Sequence, residues 1–118
     1  MASLKIYDTN AMIAISQGIH LVDPVQVRVA ISIITKIELL AWPSLSPTDR
    51  ADLRRMLAPL DVINIDQTIE DYAIDIRTNC RLKLPDALIA ATALSIQAPL
   101  VTNDLEFSRV PGLVLEAV

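Results

Sequence analysis

Short runs rich in Val and Ile alternate along the chain with longer segments whose apolar positions recur at helical spacing. Leu4–Tyr7 reads as a buried strand that ends at the polar cluster Asp8-Thr9-Asn10. Asn10–Gln17 reads as a short helix stopped by Gly18. Arg28–Ile33 reads as a second strand, and Thr35–Trp42 as a helix ended by Pro43. Ser46, Pro47 and Asp49 carry the signature of a helix start, with a cap, a first-turn proline and an acid at the positive end of the dipole. That helix runs to about Leu57, ahead of Pro59. Asp61–Ile65 is a third predicted strand, and Asp66 caps a long helix through Arg81. Pro85 opens a helix over Asp86–Gln97 that is apolar nearly all round and so should be largely buried. Pro99–Thr102 reads as a fourth strand, Leu105–Ser108 as a helical turn, and Leu113–Glu116 as a last strand.

Strands thus alternate with helices from end to end. That order predicts an α/β fold, a three-layer α/β/α sandwich around a mainly parallel sheet. In such sheets ligands gather beyond the carboxyl ends of the strands, near the point where strand order reverses. The 118 residues fit one domain spanning 1–118, with no repeat and no linker.

Composition narrows the choice. The hydrophobic share is 53% and the aromatic share only 3%, so the core is aliphatic, and its apolar excess predicts a homodimer. Only Gly18 and Gly112 occur, which excludes every glycine-rich phosphate loop. Ten Lys and Arg against fourteen Asp and Glu give a net charge of −4. A phosphate-bearing substrate must then be held by a local patch or through a metal ion. One cysteine, Cys80, forbids an internal disulfide. With no apolar signal region and no run of about 20 apolar residues, the chain reads as a soluble cytoplasmic protein without a membrane segment.

Four acids fall where the fold places a site. Asp8 follows the first strand and Asp104 the fourth. Asp86 lies in the first turn of the apolar helix, and Glu38 in the helix after the second strand. Singly, each has an ordinary reading as a cap, a dipole-compensating acid or a solvated charge. Converged at one sheet edge they repel, at about 4 kcal/mol for a pair about 4 Å apart at an effective dielectric near 20. Such a cluster protonates or holds a cation. An all-oxygen donor set selects a hard ion, Mg²⁺ or Mn²⁺ rather than Zn²⁺, and phosphoryl or phosphodiester chemistry follows.

The strings IYDTNAMIA, ISIITKIELL, LPDALIAATAL and LVTNDLEFSRVPGL resemble the PIN-domain ribonucleases, in particular VapC-like toxins of toxin–antitoxin pairs. The motifs occur in the family's order and the likeness spans nearly the whole chain. It implies a PIN-like fold and a metal-dependent endoribonuclease that leaves a 3′-hydroxyl and a 5′-phosphate. Asp8, Glu38, Asp86 and Asp104 match the family's acidic quartet. Asp8, Asp86 and Asp104 would be ligands, and Glu38 a second-metal ligand or an orienter of water. Thr9 and Asn10 match the polar residues after the first acid, and Thr102 and Asn103 those before the last. The resemblance also implies a homodimer and a cognate antitoxin.

Other residues have plainer readings. His20 is read as a loop residue, Cys80 as a half-buried helix residue and Trp42 as packing at a helix end. Glu70, Asp71 and Asp75 are read as a solvated helix face. Arg50, Arg54 and Arg55 form the one basic cluster, either a solvated face or a surface for RNA or a partner. Two rival functions remain: a receiver-like Mg²⁺-binding signalling module, and a catalytically inactive PIN-like scaffold that binds RNA or protein. The receiver pattern lacks its second acid after the first strand and its late lysine.

Overall fold

Five strands and five α-helices alternate in the computed structural model, which describes residues 1–118. Their order is β1 (Ser3–Tyr7), α1 (Thr9–Ser16), β2 (Val27–Ser32), α2 (Ile33–Leu40), α3 (Pro47–Leu57) and β3 (Asp61–Ile63). Then come α4 (Gln67–Asn79), α5 (Leu84–Ser95), β4 (Leu100–Val101), a 3₁₀ turn (Leu105–Arg109) and β5 (Leu115–Glu116). All strand pairs are parallel, in the order β3-β2-β1-β4-β5. The fold is therefore the α/β sandwich that the alternation predicts. Strand order reverses between β1 and β4.

Strand periodicity of two splits the core into two layers. Ile6, Ala30 and Leu100 lie side by side in register and face one cluster, with α4 and α5. Their successors Tyr7, Ile31 and Val101 face the other, with Ala11 and Met12 of α1, Leu39 of α2 and Leu57 of α3. In α5 the buried positions are mostly alanine (Ala87, Ala90, Ala91 and Ala93). Such small side chains let this helix lie close to α4 and to the sheet. No helix is long and apolar enough to cross a membrane.

Several boundaries differ from the sequence reading, each for a local reason. Ser32 ends β2 and caps α2, its hydroxyl accepting the Ile34 N–H at 3.1 Å, so this helix begins at Ile33 and ends at Leu40. Trp42 consequently lies beyond the helix. It is 54% exposed rather than packed. The α5 helix starts at Leu84, ahead of Pro85, and Lys83 gives it no side-chain cap. Cys80 is buried rather than half-buried. His20 lies in the loop, its ring 5.9 Å from that of Tyr7, and Glu70, Asp71 and Asp75 are exposed as expected.

Asp66 accepts the Ile69 N–H at 2.9 Å and caps α4, the longest helix. Asp66→Ala should lower stability by about 1 kcal/mol, and Asp66→Asn by much less, since the amide oxygen still caps. Urea unfolding of the three proteins measures this; equal midpoints for alanine and wild type would rule the cap unimportant.

Candidate active site

The reversal between β1 and β4 leaves the carboxyl ends of those strands side by side. Asp8 follows β1 directly. It caps α1 by accepting the Ala11 N–H at 2.8 Å, and it accepts the Thr102 hydroxyl from the end of β4. Thr102 in turn accepts the Asp104 N–H at 2.9 Å, and Asp104 caps the 3₁₀ turn by accepting the Glu106 N–H at 2.9 Å. Asp86 sits in the first turn of α5. Glu38, on α2, is held by the Thr9 hydroxyl, 2.7 Å from its Oε1. Thr9 also lies 3.3 Å from the hydroxyl of buried Thr35.

Asp8, Glu38, Asp86 and Asp104 line one cleft of about 380 Å³ with Thr9 and Asn10, and Trp42 stands in its wall. Thr102 lies behind it, 5% exposed. Asn103 is turned aside, its side-chain oxygen accepting the Val118 N–H at 2.9 Å. Arg50 donates to the Leu40 carbonyl at the end of α2, Arg55 pairs with Asp52, and Arg54 is exposed on α3. None of the three lines the cleft.

One acid is absent from the sequence-derived set. Carboxylate oxygens of Asp86, Asp104 and Glu106 lie within 4.8 Å of one another, a spacing that suits a shared cation. Glu106 reads in sequence as an ordinary first-turn acid. The 3₁₀ turn capped by Asp104 brings it round to Asp86, which only the fold reveals.

The chain's residues 5–113 match the model of the PIN domain. It belongs to the PIN-domain family. No curated protein sequence matches it significantly. Among solved structures it is similar to a chain of VapBC2 from Rickettsia felis bound to a promoter DNA fragment, at 26% identity, TM-score 0.80 and 98% of each chain covered. It is also similar to DNA-bound VapBC from Salmonella typhimurium, at 29% identity and TM-score 0.79, covering 99% of this chain and 98% of that one. A toxin–antitoxin complex from Klebsiella pneumoniae matches at 30% identity and TM-score 0.76, covering 93% of this chain and 95% of that one. The chain is thus a VapC-like PIN domain, a nuclease by class. The receiver reading falls with the family match.

Electrostatics of the PIN cleft follow from burial first and from crowding second. Asp8, 4% exposed, has its pKa raised, chiefly by burial. The Thr102 hydroxyl and the Ala11 N–H pull it down, while Asp104 and Glu38 push it up. Asp86 is raised as well, by burial first and then by Asp104, Glu38, Glu106 and Asp8. A carboxyl group with a higher pKa folded than unfolded takes up protons on folding. Its cost is fully present above the folded value and is relieved as pH falls through that value toward the ordinary 3.8.

Asp104→Asn should therefore stabilise the metal-free protein, by about 1 kcal/mol at the water-like dielectric of a half-open cleft. An amide oxygen still accepts the Glu106 N–H, so the cap survives. The variant should gain less stability from added Mg²⁺ or Mn²⁺ than wild type does. In EDTA, both proteins should gain stability from Asp8 and Asp86 as pH falls from neutral. Thermal unfolding with EDTA and with millimolar metal reads all of this, and a variant less stable than wild type in EDTA would show that crowding does not govern the site.

Proposed function

We propose that this PIN domain is a divalent-metal-dependent endoribonuclease and the toxin of a cytoplasmic toxin–antitoxin pair. The observation that carries the reading is the gathering of Asp8, Glu38, Asp86 and Asp104 in one cleft at the carboxyl edge of the sheet. Their donor set is all oxygen, with no His or Cys among the lining residues, and this fits Mg²⁺ or Mn²⁺. Asp8, Asp86 and Asp104 would hold the ion directly or through water, with Glu106 beside the latter two. When bound, a divalent ion supplies charge neutralisation and Lewis acidity toward water and the phosphodiester. The protein's own part is positional. Thr9 fixes one oxygen of Glu38, leaving the other to orient the attacking water. Asn10, exposed in the cleft, offers both a donor and an acceptor to the RNA backbone. Asn103 and Thr102 hold the loop that carries Asp104.

Incubation of a mixed RNA pool should give Mg²⁺- or Mn²⁺-dependent cleavage with 3′-hydroxyl and 5′-phosphate ends. Asp86→Asn should lower it by about a hundredfold or more. Metal-independent cleavage would refute the metal site, and no cleavage by wild type would favour the inactive scaffold.

Two partners belong to the same reading. The VapBC neighbours support an antitoxin. So does an apolar groove of about 520 Å³ beside the cleft, lined by Ile13, Leu39, Trp42, Leu45, Leu53 and Met56 and edged by Asp49 and Asp52. Arg54 on α3 is the arginine left to meet RNA or that protein. A homodimer is supported by exposed apolar side chains such as Ile65, Tyr72 and Val114. Light scattering at high micromolar concentration should give twice the chain mass, and the mass of one chain would refute the dimer.

A further inference from the structure

We infer that Trp42 receives a nucleobase of the RNA next to the phosphate that is cut, and so sets substrate affinity. The inference rests on the nuclease reading of the same cleft. It starts from charge. Among the residues lining the cleft are Asp8, Glu38, Asp86 and Asp104, and no Lys or Arg. Arg109, near Glu106, is engaged elsewhere: it lies 3.9 Å from that carboxylate and donates to the Arg81 carbonyl at 3.3 Å. One or two divalent ions against four carboxylates leave the cleft neutral or negative. The usual source of nucleic-acid affinity, phosphates neutralised by protein cations, is missing there. Beyond the metal ion and the backbone hydrogen bonds of Asn10, contact with the bases is the source of affinity that remains.

Base contact by stacking needs an aromatic face open to the cleft. The chain has one Trp, two Tyr and one Phe. Phe107 borders the cleft but is 2% exposed, Tyr7 is 2% exposed, and Tyr72 lines a separate groove beside α5 and the loop before β5. Trp42 alone combines exposure, at 54%, with a place in the cleft wall. It lies two residues past the end of α2, and it lines the cleft together with Glu38 of that helix. Pro43 restricts its backbone to extended conformations, and its carbonyl accepts the Leu45 N–H at 3.2 Å. The indole is therefore presented from a fixed backbone, with little ordering left to do on binding.

The test compares wild type, Trp42→Phe and Trp42→Ala as full chains with Mg²⁺ or Mn²⁺. On single-stranded RNA of mixed sequence, Trp42→Ala should raise KM about tenfold with kcat little changed. Trp42→Phe, which keeps an aromatic face, should recover most of that loss. As the only tryptophan, the indole also reports directly. Adenosine 5′-monophosphate should quench its fluorescence saturably, whereas ribose 5-phosphate, which lacks the base, should not. Quenching by the nucleotide together with absent cleavage would leave the base contact standing and remove the nuclease reading. An unchanged KM in Trp42→Ala without nucleotide quenching would overturn the proposal. So would a variant that keeps its KM but loses a copurifying protein, since the indole would then be a protein contact.

Discussion

A single buried carboxylate joins the two halves of the sheet. Asp8 follows β1, accepts the Ala11 N–H in the first turn of α1, and accepts the Thr102 hydroxyl from beyond β4. A threonine hydroxyl has one proton, and here the carboxylate takes it. The oxygen of Thr102 then accepts the Asp104 N–H. The directed chain of bonds crosses the place where strand order reverses and sets the loop that carries Asp104. Without Asp8 the hydroxyl of Thr102, a residue only 5% exposed, would lose its acceptor, a loss of about 1–3 kcal/mol. Strand pairing adds backbone bonds beside it, from the Ile6 N–H to the Pro99 carbonyl at 2.9 Å and from the Asp8 N–H to the Val101 carbonyl at 3.2 Å.

Three of the four acids that crowd the cleft also begin helices. Asp8 caps α1, Asp104 caps the 3₁₀ turn, and Asp86 lies in the first turn of α5. Parallel strands followed by helices bring helix N-termini to the carboxyl edge, and each N-terminus carries partial positive charge. That charge and the capping N–H groups offset part of the carboxylate repulsion before any ion arrives. Capping and the proposed ion binding thus draw on the same carboxylates at Asp8 and Asp104. This is why an amide in place of one carboxylate separates the two roles: it keeps the hydrogen bond and removes the charge.

Much of this was legible in sequence, and the reasons differ by element. Asp8 directly follows one apolar run that reads as a strand and Asp104 lies just past another, beyond Thr102 and Asn103, so the fold's own logic placed them together. Asp86 was legible from Pro85 and the apolar helix behind it. Helix edges were less so, because Ser32 both ends a strand and caps a helix, and the pattern of apolar residues does not distinguish Ile33 as one or the other. Glu106 was not legible, since its approach to Asp86 depends on a tight 3₁₀ turn rather than on periodicity. Trp42 was misjudged for a related reason. The apolar spacing of the preceding helix carries on to position 42, yet the helix ends at Leu40 and releases the indole to solvent.

Charge placement away from the cleft completes the account. Arg28 pairs with Asp61, Lys5 with Glu116, Arg55 with Asp52, and Arg50 holds a backbone carbonyl. Several of the ten cations are thus engaged within the chain, and the net charge is −4. Long-range attraction for a polyanion is correspondingly weak, and the metal-free cleft repels it. On the proposed function, a cation in the cleft would offset this negative charge and so favour the phosphate. On that reading, discrimination among RNAs would fall to uncharged contacts, which depend weakly on salt. In a protein of this charge balance, selectivity for a sequence is a matter of what the bases touch, not of how strongly the backbone is drawn in.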